Sequence, residues 1–441
     1  MKIESPEKII HHEHYGIKNT IKDEFQDYIT NIKLFSKNAK LYLLGSFLIG
    51  INFHVFQLLL NLYLRELNFE ESQIGFIISS RAVGMTLIAI PAAMLLSRVK
   101  LKPVLLGSCI LFGMFSFGLS SSTSLEMLIS FSMLSGVVFA FYRVAGGPFY
   151  MRNSTNKERT HLFSVSFGMM IMAGMAGSAG SGQLVKIIGD HFNSVLLGYQ
   201  YTLYIGIIFS LLALIPFAVI KASKPSDEEN KINISLKQFK ERGGFYFKIT
   251  IANFLVGLGA GLIIPFLNLY FRDRFHQDAS SIGMFYFYVS FSMLAGSLAG
   301  PIMAKKFGLV RAVVITQFLS IPFMFIMSYS LVLPLVVVAF ILRAGFMNLG
   351  SPIVTNLGME LSEKSEQGLV NALLMVAWTS SWMISAAIGG YLIDNFGYTF
   401  TINITIGLYI LSSTTFYFFF KDAEIKTDTP TRWIIAKENN T

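Results

Sequence analysis

Cysteine is almost missing from this 441-residue chain: Cys109 stands alone, so no intramolecular disulfide can form and no thiolate cluster can hold a metal. Charge is scarce as well. Asp, Glu, Lys and Arg supply 14% of the residues, against about a quarter in a soluble domain. Acid is scarcest inside the long apolar runs, where no Asp or Glu lies deep; Glu126, Glu360 and Asp394 fall near the ends of theirs. Without a deep aspartate pair or a His-Glu-x-x-His motif, the chain lacks the groups for aspartyl or zinc-dependent cleavage within the membrane. His54 and the membrane serines leave a Ser–His dyad formally open. The reading adopted is nevertheless not an enzyme, with no cofactor and no metal. The His11-His12-Glu13-His14 cluster lies in a polar tail without fixed geometry and is not taken as a metal site.

What is present is hydrophobic: 53% of residues, with 41 Phe and 20 Met. Apolar runs of spanning length follow one another at about 41–64, 73–97, 103–120, 126–150, 161–187, 196–220, 246–271, 281–304, 310–328, 332–357, 367–393 and 398–420. Continuous runs of this length must be helices, because lipid offers no partners to an open sheet edge. The fold class is therefore all-α membrane protein with twelve transmembrane helices. Of the 35 Lys and Arg, 28 lie in the terminal tails and even-numbered loops or at the span edges beside them, four in or beside the odd-numbered loops and three deep within spans. This asymmetry predicts both termini in the cytoplasm of a multi-pass cell-membrane protein. The net charge of +9 is thereby accounted for, and no nucleic-acid partner is inferred. Residues 1–40 read as a cytoplasmic tail whose Ile17, Ile21, Phe25, Tyr28, Ile32 and Phe35 form the apolar stripe of an amphipathic helix on the membrane surface. Residues 421–441 read as a second cytoplasmic tail.

The chain repeats itself. Phe47-Leu48-Ile49-Gly50 returns as Phe254-Leu255-Val256-Gly257, and Leu60-Asn61-Leu62-Tyr63-Leu64-Arg65-Glu66 as Leu267-Asn268-Leu269-Tyr270-Phe271-Arg272-Asp273, both at an offset of 207. Ile74-Gly75 returns as Ile282-Gly283, and 181–189 aligns with 389–397, at an offset of 208. Two six-helix halves follow, 41–220 and 246–420, joined by a polar linker at 221–245. Six is even, so the halves enter the membrane in the same sense and the repeat is parallel. Tyr63-x-Arg65 and Tyr270-x-Arg272 are expected to be interfacial anchors.

Twelve spans in two parallel halves, with a polar central loop, resemble the major facilitator superfamily of secondary transporters. The stretch from Ala93 to Lys102 resembles the family's loop motif, with Ala93 and Ser97 at its Gly and Asp positions; Pro301 to Arg311 is its repeat copy, with Lys305 for the Asp. The charge latch usually built on that Asp does not carry over, although Arg98 keeps a basic position. Span five, with Gly168, Gly174, Gly177, Gly180 and Gly182, resembles the glycine-rich motif of the family's exporters, with Ser178 in its proline position. Small residues at such spacing also serve close helix packing. Gly147 to Ser164 also resembles bacterial members. The resemblance implies alternating access, a small-molecule substrate, a coupling proton or sodium ion, and a monomer in the bilayer.

Three arginines fall within spans: Arg81, Arg143 and Arg343. Each costs several kcal/mol without a partner and normally faces the bundle interior. By the family resemblance, spans one, four, seven and ten line the central cavity, which makes Arg143 and Arg343 cavity candidates. His54, Gln57 and Asn61 form a polar stripe on span one, and Asn253 and Asn268 share a face of span seven with Gly257 and Gly261. His54 titrates nearest physiological pH and is the proton-coupling candidate. Arg81, Arg98, Gly177, Gly180, Gly182, Gly389 and Gly390 are expected to be structural or gating residues. Arginines without acidic partners favour an organic anion as cargo. The Phe, Trp and Met content, including Phe139, Tyr142, Trp378 and Trp382, favours a multidrug or lipophilic-compound exporter instead. Export is slightly favoured, and a non-transporting sensor that keeps the fold is the alternative from another class.

Overall fold

The structure is a computed structural model that describes residues 32–96, 98–155, 158–221, 236–362 and 367–423. The histidine cluster and all of the tail helix but its last residues lie outside the described residues, as does the linker over 222–235. Among the described residues all regular structure is helical. Its helices are α1 (Lys37–Glu66), α2 (Glu71–Leu96), α3 (Leu101–Ser121), α4 (Leu125–Arg152), α5 (Arg159–Phe192) and α6 (Val195–Leu212, with a short continuation Leu214–Val219) in the first half. The second half holds α7 (Leu236–Ile263, resuming over Leu267–Phe275 after a 3-10 turn), α8 (Ala279–Phe307), α9 (Leu309–Tyr329) and α10 (Leu333–Glu360). A final helical run, Gln367–Phe420, has 54 residues and would be about 80 Å long if straight, far more than a bilayer. It is two spans. Gly397, at φ +77°, turns the chain between α11 (367–396) and α12 (398–420), a left-handed conformation that glycine adopts without strain.

Each helix is long enough to cross a roughly 30 Å hydrocarbon layer at 1.5 Å per residue. Among the described residues eleven helical runs are both long and apolar enough, and the eleventh is the α11–α12 pair, so the protein is a twelve-span membrane protein. Several boundaries exceed the apolar runs. Helix α5 reaches Phe192 rather than 187, and α7 begins at Leu236, inside the stretch assigned to the linker.

The internal repeat is close enough to be seen in side-chain contacts. Tyr63 Oη donates to the Ser120 carbonyl at 3.0 Å, tying α1 to α3, and Tyr270 Oη donates to the Met327 carbonyl, tying α7 to α9. Both tyrosines are buried. They are core braces, which corrects their expected role as interfacial anchors. A phenol at a helix end can lie in the headgroup region or turn inward to an unpaired carbonyl, and sequence position does not separate the two.

The halves meet along α2–α11 and α5–α8, with α1 touching the end of α7 and the start of α8. A Cβ added at Gly75 would lie 2.6 Å from the Ala386 carbonyl oxygen, and one at Gly283 would lie 2.5 Å from that of Ser178. Each pair is the other displaced by 208 residues. Gly182 packs in the same way on the Ala279 carbonyl, and Gly390 on that of Glu71. Four glycines therefore bring backbone against backbone, which only residues without a Cβ allow. All four contacts lie toward the end that the Lys and Arg distribution assigns to the outside, called here the outer end.

Candidate functional site

Above the midplane the halves are clasped by polar side chains. Pro265 interrupts α7 because it has no N–H to donate and its ring opposes a regular turn. A 3-10 turn over Ile264–Phe266 results. The Leu269 N–H, which a continuous helix would give to Pro265, goes instead to Asn268 Oδ1 at 2.9 Å. The freed Pro265 carbonyl accepts from Asn61 Nδ2 at 2.6 Å, and Asn268 Nδ2 donates to the Leu58 carbonyl at 2.7 Å. Leu58 and Pro265, like Asn61 and Asn268, are 207 residues apart, so each half gives the other one amide and receives one. Both asparagines are buried. Farther out, Arg272 donates to Glu66 at 2.6 Å. Two backbone N–H groups at the start of α2, those of Glu71 and Ser72, donate to the Asp394 carboxylate of α11 at 3.0 and 2.7 Å.

Below the clasp the first half presents cations. Arg81 is ten residues from the outer end of α2 and His54 twelve from that of α1, depths of about 15 and 18 Å, close to the middle of the bilayer. Close packing fixes Arg81: Gly84 and Gly136 let α2 and α4 touch, Gly136 against the Arg81 carbonyl itself. Ser132 Oγ donates to the Ile77 carbonyl at 2.6 Å and Ser80 Oγ to that of Ile129 at 3.1 Å. The guanidinium then stands over Phe53 at 4.7 Å, Phe139 at 5.5 Å and Phe112 at 5.7 Å. Phe53 and Phe139 are stacked with centroids 4.5 Å apart. Its Nε and Nη2 are buried without a hydrogen-bond partner among the described residues. Cation–π contacts are worth about 0.5–2 kcal/mol each, whereas an unpaired guanidinium in the membrane costs several. Aromatic faces soften that cost but accept no hydrogen bond in the ring plane. What the geometry lacks is an acceptor.

His54 lies beside Arg81 and faces Gln57. An added Cβ on Gly174 or Gly177 of α5 would stand 3.2 Å from its ring or 3.0 Å from its Cβ, so those glycines make room for the imidazole. The second half reverses the bulk. Gly261 of α7, the counterpart of His54, packs against the Ser385 side chain and the backbone of Trp382 on α11, and Trp382 is the counterpart of Gly174. Trp382 Nε1 is likewise a buried donor without a partner among the described residues, and Trp378, 5.9 Å away, is 39% exposed. His54 and Arg81 are half-buried, Gln57 and Arg143 exposed, although protein surrounds His54, Arg81 and Arg143 on most sides.

The other sequence candidates are distributed differently. Arg143 lies about 27 Å along α4 from its outer end, toward the inner mouth. Arg343 is 5% exposed and donates to Tyr409 Oη, with its Cζ 5.5 Å from that ring, which binds α10 to α12. Asn253 Nδ2 donates to the Leu374 carbonyl at 2.9 Å, bracing α7 on α11. Gly389 packs on Leu262 of α7, Gly180 has open space around it, and Arg98 is exposed. The cluster sequence reasoning missed is Arg81 with Phe53, Phe112 and Phe139. Counting residues from Glu71 would have put Arg81 at the midplane, but that the three rings converge on it from α1, α3 and α4 has no local signal.

The family model described as Major Facilitator Superfamily matches residues 42–247 and 249–435. No curated protein matches the chain. Among solved structures, a bacterial homologue of the human lysosomal transporter Spinster, in an inward-facing and occupied conformation, superposes with a TM-score of 0.73 at 11% identity, covering 89% of this chain and 98% of that one. The D-xylose-proton symporter gives 0.69 at 16% identity, covering 88% and 97%. The human organic anion transporter MFSD10 gives 0.63 at 14%, covering 86% and 99%. At these identities the likeness is one of fold.

Proposed function

The chain belongs to the Major Facilitator Superfamily of secondary transporters, and we propose that its cargo is a small organic anion bound at the midplane between the two halves. One observation carries this reading: Arg81 holds two buried, unpartnered donors at that depth, with no carboxylate deep in any described span. Trp382 Nε1 adds an unpartnered donor on the other half. The two Arg81 donors and the Trp382 N–H call for a ligand that brings acceptors, and a fixed positive charge calls for one that brings negative charge. Trp378, Trp382 and Phe53 offer flat apolar faces to the rest of the molecule, so the cargo is an organic acid rather than a small inorganic ion. In this reading His54 takes up a proton only together with the anion, whose charge offsets the neighbouring Arg81 that otherwise opposes a second cation, and Arg143 draws anions in from the inner mouth.

The halves rock about this site, with the glycine contacts and the asparagine clasp as the outer closure. In this reading the protein is a monomer in the cell membrane with both termini in the cytoplasm. The glycines of α5 are partly spent on that closure, so their resemblance to an exporter motif lends efflux little weight; the direction is read from the flux experiment itself.

The test is thermal stabilisation of purified protein by matched panels of organic acids and their neutral amides, followed by flux of the best binder into and out of proteoliposomes. Acids should stabilise the wild type by mass action, and Arg81→Gln should abolish the effect while keeping the fold. Stabilisation by amides as strong as by acids would overturn the anion reading in favour of a lipophilic cargo. Binding without flux would make the protein a sensor.

A further inference from the structure

Between the outer ends of the halves lies a cavity of about 770 Å³ that the transport site does not use. Glu71, the first residue of α2, and Asp394, which follows the apolar run of α11, both line it; the Glu71 N–H donates to Asp394 Oδ1 at 3.0 Å, and the two carboxyl groups lie within hydrogen-bonding reach of each other. They belong to opposite halves. Asp394 accepts both backbone N–H bonds at the start of α2, at 3.0 and 2.7 Å, where the helix dipole also favours an anion. It is thereby held as a carboxylate. Glu71 is 6% exposed whereas Asp394 is exposed to the cavity, so of the two it is the buried Glu71 carboxyl, set against a carboxylate, that resists ionising.

Every other charged group around the cavity is already engaged or faces water. Arg272 is bound to Glu66 at 2.6 Å, Asp273 accepts from Tyr398 Oη at 2.8 Å, and Asp278 accepts from the Ser281 N–H at 2.8 Å. Among the described residues, Arg65 is the one cation on Glu71, at 3.4 Å. It is a third exposed and also donates from the same Nη1 to the Phe69 carbonyl at 3.3 Å, so it offsets the Asp394 charge only in part. His276 is exposed at the rim.

We propose that Glu71 and Asp394 form a proton-binding site that exists only while the outer side is closed. In the closed state a proton taken from outer water resides on Glu71, which presents its O–H to the Asp394 carboxylate. Opening carries Asp394 away with the second half. Glu71 is then left with Arg65 and water, ionises, and returns the proton to the outside. One proton is released per opening, so linkage makes the outer-open to outer-closed ratio rise with pH, by up to about tenfold per unit while Glu71 titrates. The site sets which conformation outer acid favours and needs no cargo, so it stands or falls separately from the anion reading.

The experiment is electron-paramagnetic distance measurement between spin labels at Thr123→Cys and Leu331→Cys, exposed positions in corresponding outer loops of the two halves, in a Cys109→Ser background. The protein is reconstituted without cargo and the outer pH varied from 5 to 9. In the parent, the long-distance population should grow with pH. Glu71→Gln keeps a donor toward Asp394 but cannot titrate, and should stay closed at every pH. Asp394→Asn removes the anion that retains the proton, and should open more at low pH with its pH slope lost. His276→Gln should leave the parent slope unchanged. A flat parent profile, a slope that persists in Glu71→Gln, or one abolished by His276→Gln each overturns the proposal. Melting temperatures identify any variant that fails to fold, and the remaining variant then decides.

Discussion

Two glycines on α5, two residues apart, should answer an added methyl group in opposite ways. At Gly182 a Cβ meets the Ala279 carbonyl of the other half inside van der Waals distance, with the Gly283 Cα at 3.2 Å. At Gly180 nothing lies within 4 Å. The carbonyl facing Gly182→Ala is helix backbone and must retreat by roughly 1 Å to reach normal contact. Because it belongs to α8, that retreat separates the halves at their outer ends. Overpacking of this kind costs about 1–3 kcal/mol, and the cost is felt only in the outer-closed state, so the outer-open population should rise by about 5- to 150-fold. Gly180→Ala should leave the equilibrium where it was and raise the melting temperature slightly, since alanine restricts the unfolded chain. Spin labels at Thr123→Cys and Leu331→Cys report the separation directly. Equal responses from the two substitutions would refute the view that backbone contact at Gly182, rather than a general preference for small residues along α5, closes the outer side. Gly75→Ala and Gly283→Ala, at 2.6 and 2.5 Å from their opposing carbonyls, should behave like Gly182→Ala.

Asn268→Ala removes one amide of the clasp and leaves the Leu58 carbonyl and the Leu269 N–H short of a partner; membrane hydrogen bonds of this kind are worth about 0.6 kcal/mol and up to 1.7, so outer opening should increase between about 3- and 18-fold in the same distance measurement. Tyr409→Phe strips Arg343 of its hydroxyl acceptor in a buried setting, and should cost about 1–3 kcal/mol, seen as a lower melting temperature with organic-acid binding unchanged. A loss of binding there would instead put Arg343 in the site. Arg272→Gln breaks a partly exposed ion pair worth about 0.2–1 kcal/mol, and its small effect on outer opening should shrink further in high salt. Cys109 is fully buried, so a maleimide should label it only as the protein melts; labelling of the native protein would contradict the packing of α3.

The twelve spans, the duplication and the helix breaks at Pro265 and Gly397 lie in local sequence, because length, hydropathy and the special geometry of proline and glycine act on the chain one segment at a time. The repeat gave more than topology: the offset of 207 already paired Asn61 with Asn268 and Tyr63 with Tyr270. What it did not give was the direction in which these side chains turn. Both tyrosines went to core carbonyls and both asparagines to the opposite half, because a buried polar group takes whatever acceptor the neighbouring helix leaves free.

Three arginines looked alike in sequence, each an isolated cation in an apolar run. Only packing distinguished them. Arg343 found Tyr409 from α12, Arg143 stayed exposed toward the inner mouth, and Arg81 was enclosed by rings from three helices that supply no acceptor. Likewise Glu71 and Asp394, 323 residues apart and ordinary helix-end acids in sequence, became a pair only because α2 and α11 cross between the halves. Sequence by itself determined that the chain spans the membrane twelve times as two like-oriented halves, since those properties are sums over local segments. Tertiary structure decided which cation lacks a partner and which acids meet, since both depend on groups that only the packing of distant helices brings together.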